Sequence, residues 1–268
     1  VVHVEAGLRS YDRSMPEEIN RVLTDQIADL LYTTERAAAD NLAREGIAPE
    51  RVHFVGNVMI DSLLRHAARA TRPEQTLARN GIPPALATSA PGYAAVTLHR
   101  PSNVDDAQAL GEALAILESV AMRMPVIWPA HPRTLASLER FGLKARASTA
   151  RIALLPPQGY LEMLGLMANA KVVLTDSGGV QEETTALAIP CLTMRDNTER
   201  PITVEQGTNI VVGRDRARID AAIGEILAGG GKRGRRPELW DGRAAPRIAR
   251  HLAGWLAARD VGREEALA

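Results

Sequence analysis

Residues 171–184 read Lys171-Val-Val-Leu-Thr-Asp-Ser-Gly-Gly-Val-Gln-Glu-Glu-Thr184. A short β-branched run ends in Thr175-Asp176, passes through Ser177 and two glycines, and continues into residues of helical character through Leu187, as a buried parallel strand does when it turns directly into a helix. In an open parallel sheet the ligand crevice lies at the carboxyl ends of the strands. A helix starting there offers unpaired N–H groups and a partial positive charge to an anion. Gly178 and Gly179 lack Cβ atoms and admit a phosphate to that backbone, and Ser177 adds a hydroxyl donor. A plain tight turn with a serine cap is the structural alternative. The chain has no P-loop lysine and no G-x-G-x-x-G, so nothing supports ATP hydrolysis or dinucleotide binding.

The same rhythm extends in both directions. Strand-like runs fall at 1–4, 30–33, 52–56, 93–98, 125–129, 152–155, 171–175, 190–194 and 209–212, with helix-period segments between them. This pattern predicts an α/β fold of βα units around parallel sheets. Residues 71–92 break it with Pro73, Pro83, Pro84 and Pro91 and are expected to form an interdomain linker. Residues 1–70 hold only three strands, and Val1 already stands in a strand-like run, so this region is expected to be the remnant of a first domain only partly present. Residues 93–245 supply six strands and form the second domain. In 246–268, Ile248, Leu252, Trp255 and Leu256 recur at helical spacing and predict a terminal helix that packs back on the first domain. Gly229-Gly-Gly231 followed by Lys232, Arg233, Arg235 and Arg236 reads as a solvated basic loop.

Composition narrows the function. Among 268 residues, 32 Lys and Arg balance 32 Asp and Glu, which argues against the sequence-blind phosphate attraction of a nucleic-acid binder or a polybasic membrane surface. Cys191 is the single cysteine, which excludes an intramolecular disulfide framework and a cysteine-based zinc site and suits a cytoplasmic, reducing setting. No apolar run reaches the roughly 18 residues of a spanning helix.

Several polar residues gather at strand ends. Glu5 follows three strand residues with no helix of its own to cap, a costly place for a carboxylate without a role. Glu17 stands three residues after Ser14, as in a capping box, with Pro16 near the first helical position. His99-Arg100 ends the run at 93–98, where a histidine could act as general acid or base or as a cation for phosphate. His131 also follows a strand. Arg195 and Arg200 suit phosphate pairing, with a loop salt bridge to Asp196 or Glu199 as the alternative. Glu182 and Glu183, placed in the first turn of their helix, either complement its dipole or accept sugar hydroxyls. Together these residues imply a nucleotide-sugar site.

Five segments, His3-Val-Glu-Ala-Gly-Leu-Arg9, Pro16-Glu-Glu-Ile-Asn-Arg21, Thr97-Leu-His-Arg100, Thr175-Asp-Ser-Gly-Gly-Val-Gln-Glu-Glu183 and Arg195-Asp-Asn-Thr-Glu-Arg-Pro201, resemble the non-hydrolysing UDP-N-acetylglucosamine 2-epimerases in order and spacing. The resemblance runs from Val1 to about Trp255. It implies a GT-B-like fold of two Rossmann-like domains facing a cleft, without nicotinamide or metal cofactor. It implies interconversion of UDP-GlcNAc and UDP-ManNAc by elimination and re-addition of UDP, in the supply of cell-surface polysaccharide, and a cytoplasmic homodimer that engages neither nucleic acid nor membrane. By resemblance, Glu5, Glu17 and His99 match the catalytic carboxylates and histidine. Arg100 follows that histidine on the substrate side, Ser177, Gly178 and Gly179 match the diphosphate turn, Glu183 the ribose contact, Arg200 the phosphate-side arginine and Gln158 a uridine-side position. Met163 stands where many members carry an aromatic, and Pro101-Ser102-Asn103 replaces the usual Arg-Glu-Asn. A GT-B glycosyltransferase and an epimerase for a UDP-2,3-diacetamido sugar acid are the alternatives, and residues 1–268 alone are expected to be weak or inactive.

Overall fold

The computed structural model describes residues 1–267. All nine expected strands form, each bound lying within two residues of its expected position. The chain divides into two compact units, one of Val1–Arg65 with the segment from Pro237 onward, the other of His66–Arg236. Among the described residues no helix is long and apolar enough to cross a membrane.

The first unit carries a parallel sheet of β1 (Val2–Ala6), β2 (Leu30–Thr33) and β3 (Val52–Phe54) in that spatial order. The β1–β2 register runs from Val2↔Leu30 to Val4↔Tyr32 and then slips before Ala6↔Thr33. The slip leaves Glu5 at φ +68°, a left-handed conformation that costs a non-glycine residue about 1 kcal/mol or more and re-aims its side chain. Beyond it, fully buried Asp25 accepts from Arg9 Nη2 at 2.7 Å and from the Gly7 amide at 3.1 Å, while Arg9 Nε donates to Glu45 at 2.7 Å. This network fixes the chain as it leaves β1.

The terminal helix Ala244–Leu267 docks on the same unit. Asp61 accepts from the amides of Ala244 and Ala245 at 3.0 and 2.7 Å, capping its N-terminus. Ile248, Leu252 and Trp255 pack against Leu30, Tyr32 and Val55, whereas Leu256, expected on the same face, is exposed. The return to this unit starts earlier than residue 246. Trp240 is buried and its Nε1 donates to the Thr34 carbonyl at 3.0 Å. Residue 268 of the expected terminal segment lies outside the described residues.

The second unit is a six-stranded parallel sheet, β4 (Ala94–Thr97), β5 (Val126–Pro129), β6 (Ile152–Leu155), β7 (Val172–Thr175), β8 (Cys191–Thr193) and β9 (Asn209–Val211), in the order β6-β5-β4-β7-β8-β9. Alternate residues feed two cores. Ala94, Val96, Val126, Trp128, Val172 and Leu174 enter one, and Ala95, Ile127 and Val173 the other. Both faces are covered, which is why these strands read as continuous apolar runs.

Residues 71–92, expected as an interdomain linker, lie within the second unit. They fold into helices Pro73–Arg79 and Ala85–Thr88, with Leu77 fully buried and Ile82, Leu86 and Ala87 packed on the same core. Pro73 starts its helix, where a missing N–H costs nothing, instead of breaking one. The basic segment 232–236 keeps Arg233, Arg235 and Arg236 exposed, but Lys232 is partly buried and docked. Lys232 Nζ donates to the carbonyls of Val204 and Asn209, and the Arg235 amide donates to the Gln206 carbonyl at 2.8 Å. Partial burial holds the Lys232 ammonium below its ordinary pKa.

Candidate functional site

In the second unit the strand order reverses between β4 and β7, neighbours in register from Ala94↔Val172 to Thr97↔Thr175. Such a reversal opens a crevice at the carboxyl ends of the two strands. His99 follows β4 there, and Asp176 and Ser177 follow β7. Asp176 is fully buried. It accepts from the His99 amide at 3.1 and 3.0 Å, from the Arg100 amide at 2.9 Å and from Asn103 Nδ2 at 3.0 Å, and its Oδ1 lies 3.0 Å from His99 Nδ1. Burial alone would raise the Asp176 carboxyl, but the hydrogen bonds and charge from His99, with those from Asn103 and the Arg100 amide, outweigh it and hold the group below the ordinary carboxylate range. Asn103, the residue shared with the usual family pattern after the His-Arg pair, also donates to the Met194 carbonyl at 3.0 Å and ties this turn to β8.

The helix Gly178–Leu187 begins directly after Ser177, whose side chain makes no cap hydrogen bond, so the hydroxyl is not spent on the turn as a plain serine cap would spend it. A Cβ on Gly178 would lie 2.5 Å from Glu199 Oε1 and 3.5 Å from Arg200 Nε. A side chain here would push Glu199 off the helix start, whereas Arg200 would meet it at ordinary contact distance. Arg200 Nε is 3.5 Å from Glu182 Oε2, and Arg100 Nη2 is 3.8 Å from Glu199 Oε1. Arg195 takes the structural alternative, an ion pair with Glu199 at 2.8 Å with both partners buried. Burial raises Glu199, and the charges of Arg195 and Arg200 reverse this and hold it below its usual value.

Glu182 and Glu183 lie in the second turn of this helix, not the first, because the helix starts at Gly178. The dipole explanation therefore does not apply to them. Glu183 is 6% exposed and accepts from the Tyr160 hydroxyl at 3.1 Å. Burial pushes its carboxyl up, against the Tyr160 bond. Gln158 Nε2 donates to the Pro156 carbonyl at 2.8 Å, with Asn80 beside it, and Met163 packs on the core of the unit. The His131 ring centroid is 5.6 Å from that of His99, and its Nδ1 accepts from the Arg133 amide at 3.2 Å. The second unit thus brings together His99, Arg100, Ser177, Gly178 and Arg200, with Gln158, Met163 and Glu183 on the same sheet's flanking loop and helices.

Glu5 and Glu17 belong to the first unit. Glu17 lies exposed in the first turn of the helix Pro16–Ile27, whose cap residue is Met15. The capping box does not form, since the Ser14 hydroxyl donates to Asp12 at 2.6 Å; Glu17 stands in the first turn, where a carboxylate complements the helix dipole. Its neighbour Glu18 has the architectural role, accepting from the amides of Ser10 and Tyr11 at about 3 Å and pairing with Arg21 at 3.0 Å.

Asp176 and Tyr160 carry no role in the sequence reading. Asp176 had a signal, an acid at a strand's carboxyl end between a threonine and a glycine turn. Tyr160 had none beyond its place after a strand.

The sequence profile of the UDP-N-acetylglucosamine 2-epimerase family matches residues 1–253. The UDP-N-acetylglucosamine 2-epimerase of Methanococcus maripaludis is 40% identical over 84% of this chain and 61% of its own length. The UDP-2,3-diacetamido-2,3-dideoxy-D-glucuronate 2-epimerase of Pseudomonas aeruginosa is 40% identical over 94% of this chain and 68% of its own. The crystal structure of Methanocaldococcus jannaschii UDP-GlcNAc 2-epimerase in complex with UDP-GlcNAc and UDP superimposes with a TM-score of 0.83 at 39% identity, covering 94% of this chain and 68% of that one. The chain spans about 61% to 68% of the length of these relatives. The α/β, GT-B-like class expected from the sequence holds, and the chain belongs to the UDP-N-acetylglucosamine 2-epimerase family.

Proposed function

We propose that residues 1–268 form the larger part of a UDP-N-acetylglucosamine 2-epimerase that interconverts UDP-GlcNAc and UDP-ManNAc. The observation that carries this reading is the meeting of His99 with the Ser177-Gly178-Gly179 turn where the strand order reverses between β4 and β7. The diphosphate binds at the start of the helix Gly178–Leu187, with Arg200, Arg100 and the Ser177 hydroxyl as further donors. Glu183 accepts the ribose hydroxyls, and Gln158 and Met163 line the uridine side.

In the forward half-reaction a base takes the C2 proton and the C1–O bond breaks, its electron pair leaving on the diphosphate and giving a 2-acetamidoglucal. The helix start, His99 and Arg200 stabilise the charge that builds on the departing oxygen. In the return, a diphosphate oxygen attacks C1 and a proton reaches C2 on the opposite face. Glu5 and Glu17, in the first unit, are by resemblance among the family's catalytic carboxylates. The lone, buried Cys191 suits a cytoplasmic enzyme, and a homodimer is the proposed assembly, which sedimentation velocity tests.

A second substrate reading is favoured by the 40% identity to the UDP-2,3-diacetamido-2,3-dideoxy-D-glucuronate 2-epimerase. Incubation with each UDP-sugar in deuterium oxide, followed by proton NMR, separates the two. The experiment is run on residues 1–268 and on the same sequence preceded by the first third of the Methanococcus maripaludis relative. Deuterium at C2 with appearance of UDP-ManNAc is the expected result in the extended protein, and loss of that exchange in Glu17→Gln. Saturable UDP binding with no exchange from either sugar in either protein overturns the reading.

A further inference from the structure

We propose that Asp176 is a positioning residue that fixes the tautomer and orientation of the His99 imidazole, so that Nε2 is the nitrogen presented to the departing diphosphate. The proposal rests on the functional reading above for the diphosphate, but the Asp176–His99 relationship stands on geometry alone.

Asp176 is 0% exposed, and its Oδ1 lies 3.0 Å from His99 Nδ1. An ionised carboxylate has no proton to give, so the proton in this contact belongs to Nδ1. The neutral ring then carries Nδ1–H, with Nε2 as its acceptor. The protonated ring presents Nε2–H as a donor. The carboxylate is also the acceptor for the amides of His99 and Arg100 and for Asn103 Nδ2. Backbone and ring of His99 are therefore held by one buried group, which is how an imidazole acquires a single orientation.

The other charged or titratable groups on the elements packed at this turn are already engaged. Arg100 faces Glu199 at 3.8 Å, and Arg133 forms a bidentate pair with Asp105 at 2.7 and 2.6 Å. His131 accepts at Nδ1 from the Arg133 amide, so its neutral form carries the proton on Nε2, the opposite tautomer from His99. Two histidines with ring centroids 5.6 Å apart thus take different tautomers, set by different partners.

The test uses both a spectrum and a rate. Long-range nitrogen–proton correlation spectra of the unsubstituted chain are expected to show the neutral His99 ring as Nδ1–H and the neutral His131 ring as Nε2–H. An Nε2–H assignment for His99 overturns the proposal without any variant being made. In Asp176→Asn the amide offers Nδ2–H to the ring, and His99 is expected to switch to Nε2–H. In the extended, active protein the same change should lower kcat about a hundredfold, because an amide does not support, as the carboxylate does, the charged ring that donates Nε2–H to the departing oxygen, with KM altered less than threefold. A folded Asp176→Asn protein with kcat within threefold of the parent overturns the positioning role. If the parent itself turns over neither UDP-sugar, the functional reading fails, and the tautomer of His99 still decides the Asp176 claim.

Discussion

Tyr160 donates its hydroxyl to Glu183 Oε1 at 3.1 Å, and the carboxylate so held is almost wholly buried. Burial pushes the Glu183 carboxyl above its ordinary value, and the Tyr160 bond opposes that rise. An ionised carboxylate accepts ribose hydroxyls on both oxygens, and protonation turns one of them into a donor and weakens the pairing. UDP affinity should therefore fall as pH drops through the raised folded value. Removing the phenol in Tyr160→Phe raises that value further, so the variant should lose affinity at a higher pH than the parent. Calorimetric titration of both proteins at a series of pH values falling from neutral checks this. The comparison cancels the titration of UDP itself, and coincident profiles contradict the assignment.

Gly178 has no room for a side chain. A Cβ would stand 2.5 Å from Glu199 Oε1, and Glu199 is itself held by Arg195 at 2.8 Å. Gly178→Ala should displace Glu199 from the helix start, at a cost of about 1–3 kcal/mol in stability. UDP affinity should fall at least about tenfold, or roughly 1.4 kcal/mol. Thermal melting and UDP titration measure the two effects separately.

Buried Arg9 and Asp25, with partly exposed His3 beside them, set the acid stability of the first unit. Burial raises Asp25, but hydrogen bonds from His3 and Arg9, the Arg9 charge and the Gly7 amide together hold it below the usual carboxylate range. A carboxyl lowered in the folded state contributes stability above its unfolded pKa of about 3.9, and that contribution is lost as pH falls through the folded value. Asp25→Asn leaves Arg9 with one carboxylate partner, Glu45, and should cost about 3 kcal/mol near neutral pH. The gap between variant and parent should narrow in acid. The indole proton of Trp240, in the same unit, follows unfolding of this unit during urea denaturation.

His53 and His251 stack with ring centroids 3.8 Å apart, and the Tyr32 hydroxyl meets His251 Nδ1 at 2.9 Å. Desolvation, then the charge of His251, lowers the His53 pKa, against a hydrogen bond from the ring to the Glu50 backbone carbonyl. A histidine lowered in the folded state stabilises it above the unfolded pKa of about 6.5, and that stability is lost as pH falls through the folded value. Docking of the terminal helix on β2 and β3 should weaken below about pH 6.5. The Trp255 indole resonance should report this loosening in the parent and show a smaller change in His53→Phe. An equal change in both proteins places the cause elsewhere.

The strands were legible because both faces of the second sheet are covered, leaving a continuous apolar signal in runs such as Val172–Thr175. Prolines misled. Pro73 read as a breaker, but it starts a helix whose Leu77 is buried, and only the tertiary partner of Leu77 tells the two cases apart. Lys232 read as solvated, since charge composition does not show that the carbonyls of Val204 and Asn209 stand ready for its ammonium. Ser177, Gly178 and His99 were visible because strand-end chemistry is local in sequence. The tie between His99 and Asp176 spans 77 residues and depends on β4 lying beside β7. Strand order is what composition and periodicity leave unsaid.

The central claim is that the crevice between β4 and β7 binds the diphosphate of a UDP-sugar. Titrating UDP into isotopically labelled residues 1–268 and following backbone amide shifts tests it most directly. Saturable shifts are expected at Gly178, Gly179 and His99, with Arg200 and Glu183 moving at the same UDP concentrations. Saturable shifts confined to other residues, or no saturation at all in a folded chain, contradict it.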